Sequence, residues 1–229
     1  MNIEQKFEAL KDLVETLGQD ARRYFDSSVN PNEQKSDGSV VTEIDKSIEI
    51  ALREFVTKHF PEDTIVGEEG DTTYGTSDFV WIIDPIDGTD NFVRKIPFFC
   101  ITVARLGNGP EDSFSIVHNP ISGQTFASLM EDGAYENEHV CNLTADSIGG
   151  RYFITVGGAS RREPWIGPAR QAMQTAIYKK FGKSGHFQSS LLEFAYVAAG
   201  RLDGYVTLQH SPWDTAAGLY LVKSAGGAI

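Results

Sequence analysis

One stretch constrains this chain more than any other: Trp81-Ile82-Ile83-Asp84-Pro85-Ile86-Asp87-Gly88-Thr89-Asp90-Asn91-Phe92-Val93. The apolar run from Phe79 to Ile83 predicts a buried strand. Pro85 has no N–H to give a sheet ladder, so the strand is expected to stop at Asp84. Asp87 then has the chemistry of a helix N-cap, Gly88 lets backbone approach a ligand, and Asn91-Phe92-Val93 can begin a helical turn. Two carboxylates at a strand's carboxyl end, followed by the N–H groups of a helix start, suit a divalent cation and an anion such as phosphate.

Neighbouring patterns fit less well. A calcium-binding EF-hand loop needs acidic or amide side chains at every second position, and here Pro85 and Ile86 separate the acids. A phosphatase with an aspartyl nucleophile in an Asp-x-Asp-Gly-Thr turn would need that nucleophile at position 85, which is proline. An isolated Asp-x-x-Asp-Gly is ordinarily an acidic turn with a helix cap; the full run to Phe92 is far more specific.

The run from Asp84 to Phe92 resembles the signature of the inositol monophosphatase family, within the lithium-sensitive, magnesium-dependent phosphatase superfamily. Three other stretches match in the family's order: Val41-Thr42-Glu43-Ile44-Asp45, Val66-Gly67-Glu68-Glu69-Gly70 and Pro212-Trp213-Asp214-Thr215-Ala216-Ala217-Gly218. The resemblance covers nearly the whole chain. It implies a layered α-β-α-β-α sandwich of the inositol monophosphatase / fructose-1,6-bisphosphatase type, an α+β or α/β fold. It also implies a hydrolase, a phosphoric monoesterase using two to three Mg²⁺ ions, and a homodimer. By this resemblance Glu68, Asp84 and the backbone carbonyl of Ile86 hold a first ion, and Asp84, Asp87 and Asp214 a second, with a weaker third ion by Glu68. Gly88 and Thr89 N–H groups bind phosphate, with Asp87 and Asp214 beside the substrate. Asp45 and the Thr89 hydroxyl orient the attacking water, and Glu69 either supports the metal ligands from behind or is structural. Where inositol-preferring animal enzymes carry a sugar-binding Glu, this chain has Thr207. The family pattern continues through another strand beyond Gly226-Gly227-Ala228-Ile229, which would leave a sheet edge unpaired.

The rest of the sequence sets the frame. Its 229 residues suffice for one large domain or two packed halves. A formal net charge of -12 argues against broad nucleic-acid binding, which needs a basic surface. No apolar stretch is long enough to span a membrane, and the start of the chain, with Glu4 and Glu8, lacks the apolar core of a secretion signal. Cys100 and Cys141 form no metal-type pair and suit a reducing cytoplasm. The histidines at 59, 118, 139, 186 and 210 form no zinc pattern. The partner that the resemblance implies is a small phosphorylated metabolite, and composition adds the expectation of no membrane and no nucleic acid.

Periodicity predicts an amphipathic helix over 3–25, with Phe7, Leu10, Val14 and Leu17 on one face, a polar loop over 29–40, and a helix from about Thr42 to His59. The loop, carrying Lys35, Asp37 and Gly38, corresponds to the family's mobile lid. A short strand over 64–67 should deliver Glu68 and Glu69 to opposite faces. Runs at 97–106, 113–118 and 123–129 predict an antiparallel meander. A loop-rich bridge over 130–150 is the expected boundary between an N-terminal α+β half, 1–145, and a C-terminal α/β half, 146–229. Beyond it come strands at 152–158 and 205–208, and helices at about 163–178, 189–199 and 214–225. Within the enzyme reading the substrate stays open among inositol monophosphate, NADP, fructose 1,6-bisphosphate, histidinol phosphate and adenosine 3′,5′-bisphosphate. A non-catalytic regulatory protein on the same fold ranks below it, because positions 45, 68, 84, 87, 89 and 214 all carry suitable side chains.

Overall fold

The computed structural model describes residues 1–27, 32–34, 40–109, 112–129, 133–143, 151–158, 164–208 and 211–229, with only the backbone described at 32–34, 40 and 41. Helix α1 (Ile3–Asp26) is followed by a short antiparallel pair, β1 (Asn32–Gln34) and β2 (Val40–Thr42), then helix α2 (Glu43–His59). Strands β3 (Thr64–Gly67) and β4 (Val80–Asp87) lead into a five-residue helix, α3 (Thr89–Val93). Strands β5 (Cys100–Leu106), β6 (Phe114–Asn119), β7 (Gln124–Leu129), β8 (Ala134–Glu136) and β9 (His139–Val140) follow. Then come β10 (Ile154–Val156), α4 (Ile166–Phe181), β11 (Ser184–Gly185), α5 (Ser190–Ala198), β12 (Gly204–Val206), a 3₁₀ turn (Pro212–Asp214) and α6 (Ala216–Ser224).

Strands β3 to β9 form one sheet in sequence order, parallel between β3 and β4 and antiparallel thereafter. Its strands are apolar on both faces because both faces are covered. Trp81, Ile83, Ile101, Val103, Phe114 and Ile116 point toward α1 and α2, joining Phe7, Leu10, Val14, Ile48, Leu52 and Val56. Cys100, Ala104, Val117 and Phe126, which alternate with that set along the strands, point toward α5 and α6 and meet Leu191, Leu192, Phe194 and Leu221. A second, all-parallel sheet of order β11-β10-β12 lies beyond α5, with α4 packed on it. The layers therefore run helix, sheet, helix, sheet, helix.

Local chemistry sets the helix starts. Asn2 caps α1 by accepting from the Gln5 N–H at 2.8 Å, while Gln5 Oε1 accepts from the Asn2 N–H at 3.1 Å. Thr42 occupies the N-cap of α2.

Several expectations need correction. Strand β4 does not stop before Pro85: it continues to Asp87, which pairs with Cys100 across a register shift between Asp84 and Asp87. The proline sits in that irregularity, where the ladder has no need of its N–H. The range 29–40, expected as a polar loop, contains β1 and the first residue of β2; residues 28–31 and 35–39, with Lys35, Asp37 and Gly38, lie outside the described residues. The bridge over 130–150 contributes β8 and β9, which extend the main sheet, and the proposed boundary near 145 falls among residues outside the description. Helix α4 begins two residues after Pro164, and the last helix begins after a 3₁₀ turn rather than at Asp214.

Candidate metal and phosphate site

Parallel pairing of β3 with β4 brings both carboxyl ends to one edge of the sheet, where open α/β sheets commonly place ligands. The Glu68 N–H donates to the Ile83 carbonyl at 3.2 Å, so the chain is still tied to β4 as it leaves β3. Asp84 is buried within β4, Asp87 ends it, and Asp214 closes the 3₁₀ turn packed beside it. One carboxylate oxygen from each of these three lies within 4.8 Å of the others. It is the one such cluster of potential metal ligands among the described residues.

The electrostatics follow from this gathering. Asp84 is pushed well above the usual carboxylate range, first by burial and then by the charges of Glu68, Asp87, Asp214 and Asp45. Asp87 is pushed up to about 6 by burial, against hydrogen bonds from Ser189 and Leu191 that pull it down. Burial raises Asp45 to about 7, with Glu69 and Glu68 adding to the shift and bonds from Thr42 opposing it. Asp84 Oδ1 and Asp45 Oδ1 are buried and accept no hydrogen bond. Buried carboxylate oxygens without donors are costly, and a hard cation removes the cost. An all-oxygen donor set from Asp84, Asp87 and Asp214 that includes one such orphaned atom, Asp84 Oδ1, fits Mg²⁺.

The Asp45 carboxylate reaches back to its own helix start, accepting from the Thr42 N–H at 3.0 Å and from the Thr42 hydroxyl through the same oxygen, Oδ2. The Thr89 hydroxyl donates to the Ile86 carbonyl at 2.9 Å. Asp45 and Thr89, expected to act as a pair, are not hydrogen-bonded to each other in this arrangement.

Gly88 has φ of 92°, in the left-handed region, and a Cβ there would meet the Gln188 carbonyl oxygen at 3.1 Å and Ser189 Cβ at 3.2 Å. Both backbone conformation and space therefore require glycine. The expectation that Asp87 caps α3 is wrong: Gly88 holds that position. Asp87 instead accepts from the Ser189 hydroxyl at 2.6 Å, the Leu191 N–H at 2.8 Å and the Ser190 N–H at 3.2 Å, all at the start of α5. The Cys100 thiol lies 3.6 Å from the same carboxylate. Asn91 adds a second tie, donating to the carbonyls of Phe98 at 2.7 Å and Phe187 at 2.8 Å.

Sequence reasoning missed Ser189 and Glu49. Glu49, buried in α2, accepts from the Glu69 N–H at 2.8 Å, the Gly70 N–H at 2.9 Å and Arg53 Nε at 2.7 Å, and so holds the turn that carries Glu68. Ser189 was legible only as a helix start, and Glu49 stands outside every motif.

The profile of the inositol monophosphatase family matches residues 2–229. The chain is 35% identical over 214 residues to the Nus factor SuhB of Haemophilus influenzae, covering 91% of this chain and 78% of that protein. It is 35% identical over 200 residues to a fructose-1,6-bisphosphatase/inositol-1-monophosphatase of Thermotoga maritima, covering 86% of this chain and 74% of that one. Among solved structures, a T. maritima IMPase superposes with a TM-score of 0.83 at 30% identity, covering 97% of this chain and 84% of that one. The chain belongs to the inositol monophosphatase family. The family supports phosphatase chemistry, and no helix among the described residues is long and apolar enough to cross a membrane.

Proposed function

We propose that the chain is a magnesium-dependent phosphomonoesterase acting on a small phosphorylated metabolite, with inositol monophosphate the first candidate. The observation that carries this reading is the convergence of Asp84, Asp87 and Asp214, with Asp84 Oδ1 buried and accepting no bond. Glu68, Asp84 and the Ile86 carbonyl are assigned to one ion, and Asp84, Asp87 and Asp214 to another. Magnesium held by these residues would supply screening of the phosphate's charge and activation of water. The chain's own groups do the rest. Gly88 and Thr89 N–H groups receive the phosphate oxygens. The Ile86 carbonyl accepts the Thr89 hydroxyl and keeps a second lone pair for a cation. Turned from that carbonyl, the hydroxyl can link the Asp45 carboxylate to a water and aim it along the line of attack, where misplacement costs rate steeply.

A phosphate-release screen over inositol monophosphate, NADP, fructose 1,6-bisphosphate, histidinol phosphate and adenosine 3′,5′-bisphosphate, with and without Mg²⁺, tests the reading. Expected are turnover of at least one ester, its loss on chelation, and its loss in Asp84→Asn. Turnover that survives exhaustive chelation would defeat it. The second reading, a Nus-factor role, is favoured by the names of the SuhB relatives. Absence of phosphate release from every ester, in protein that still binds Mg²⁺, would favour it.

A further inference from the structure

Ser189 stands at the N-cap of α5, yet its side chain makes no capping bond to its own helix. A serine there usually accepts an N–H from the first turn. Here the hydroxyl turns away and donates to Asp87 Oδ2 at 2.6 Å. Asp87 performs the cap instead: Oδ2 takes the Leu191 N–H at 2.8 Å and Oδ1 takes the Ser190 N–H at 3.2 Å. The roles of cap and capped residue are exchanged between two elements far apart in sequence.

The consequence lies in which lone pairs remain. Oδ2 already receives a hydroxyl and a backbone N–H, with the Cys100 thiol at 3.6 Å. Oδ1 receives one N–H and has a lone pair to spare. Ser189 is fully buried, so no solvent stands in for its hydroxyl. We infer that Ser189 is a positioning residue: with the first N–H groups of α5 it locks Asp87 so that Oδ1 alone is presented to a cation, as a one-oxygen ligand oriented before the ion arrives. This rests on the metal assignment proposed above. It also makes the docking of α5 and the binding of Mg²⁺ two uses of one carboxylate, so each should stabilise the other.

The experiment compares wild type, Ser189→Ala and Ser189→Thr. It measures Mg²⁺ affinity by calorimetry, the melting temperature with and without Mg²⁺, and the Mg²⁺ dependence of phosphate release. For Ser189→Ala the expected result is an Mg²⁺ dissociation constant raised by about 10- to 100-fold, the range for loss of a partner that orients a metal ligand. The rise in melting temperature given by a fixed Mg²⁺ concentration should shrink accordingly, and activity should return at high Mg²⁺. Ser189→Thr, which keeps the hydroxyl, should restore the affinity. If Ser189→Ala is less stable but binds Mg²⁺ as wild type does, Ser189 is only structural and the inference fails. An alanine variant too unstable to assay leaves the threonine variant decisive: folded protein with Mg²⁺ affinity as poor as about 100-fold below wild type would overturn the role given to the hydroxyl. If wild type binds no Mg²⁺, it is the metal assignment that fails.

Discussion

At position 45 the two oxygens of one carboxylate stand in different surroundings. Oδ2 is committed to Thr42 at the start of α2, and Oδ1 is buried with no donor. An Asn at 45 could still accept from the Thr42 N–H through its amide oxygen, so the helix start should survive while the charge is lost. Asp45→Asn is therefore expected to lower kcat by roughly 10²-fold or more with less than about 1 kcal/mol lost in stability. Thr89→Ala removes the hydroxyl bonded to Ile86 and should cost about 1 kcal/mol of stability besides a similar fall in kcat. Since the two are assigned one task, the double variant should be little slower than either single. Measuring kcat and melting temperature on all three decides it: melting temperatures that fall while kcat holds would reduce both residues to helix-start chemistry.

At the scale of elements, the turn after β3 depends on close approach. A Cβ at Gly67 would lie 2.2 Å from Glu49 Oε1 and 2.5 Å from its Cδ. Glu49 cannot swing away without losing its bonds to Glu69, Gly70 and Arg53. Gly67→Ala is expected to destabilise the protein by about 1–3 kcal/mol, the cost of overfilling a packed site, and to weaken Mg²⁺ binding by disturbing Glu68. Denaturant unfolding and Mg²⁺ titration of the variant check this. Unchanged values would mean the Glu49 cradle is dispensable. The same stretch explains what the sequence could reveal. Helices α1, α2 and α5, and strands β3, β5, β6 and β7, fell close to expectation because each carries its own period and its own punctuation. Pro85 misled because a proline reads as a stop wherever the partner strand is unseen; the register shift against Cys100 belongs to a pairing, not to a string of residues. Asp87 misled for the same reason. Its donors come from residues 189 to 191, and proximity across about a hundred positions leaves no local mark. Asp84 and Asp87 were legible in the signature stretch itself; Asp45, Glu68 and Asp214 were legible only through the resemblance of the other motifs.

For the whole molecule, two buried populations of titrating groups work in opposite senses. Burial lowers the His118 imidazole to about 4, while its Nδ1 lies 2.9 Å from the Thr125 hydroxyl. Between about pH 4 and 6.5 the unfolded chain binds a proton that the native state refuses. The contribution of His118 is thus complete above that window and is lost as pH falls through it. Asp45 and Asp87 are raised, to about 7 and about 6, so without a cation the native state loses stability as pH rises through them. If Asp87 is a ligand as proposed, Mg²⁺ takes its ionised form, so the ion's stabilisation should grow with pH across the same interval. Melting temperatures from about pH 4.5 to 7.5, with and without Mg²⁺, in wild type and His118→Gln, separate the two. The Mg²⁺ increment should rise with pH in both proteins, and the acid-side loss should lessen in the variant. An Mg²⁺ increment that is the same at both ends of the range would contradict the assignment of Asp87 to a metal.

Cys100 is fully buried against Asp87, and burial and the neighbouring carboxylates hold its thiol well above the ordinary range. Cys141, also buried, is raised to about 11. Burial and the raised thiol pKa values both disfavour reaction in the closed protein, so a small alkylating reagent is expected to wait for an opening. The labelling rate at Cys100 then becomes a clock for the parting of α5 from β4, read by mass without a substrate or an assay. Mg²⁺ should slow that clock at Cys100 more than at Cys141, which is remote from Asp87 in the sheet order.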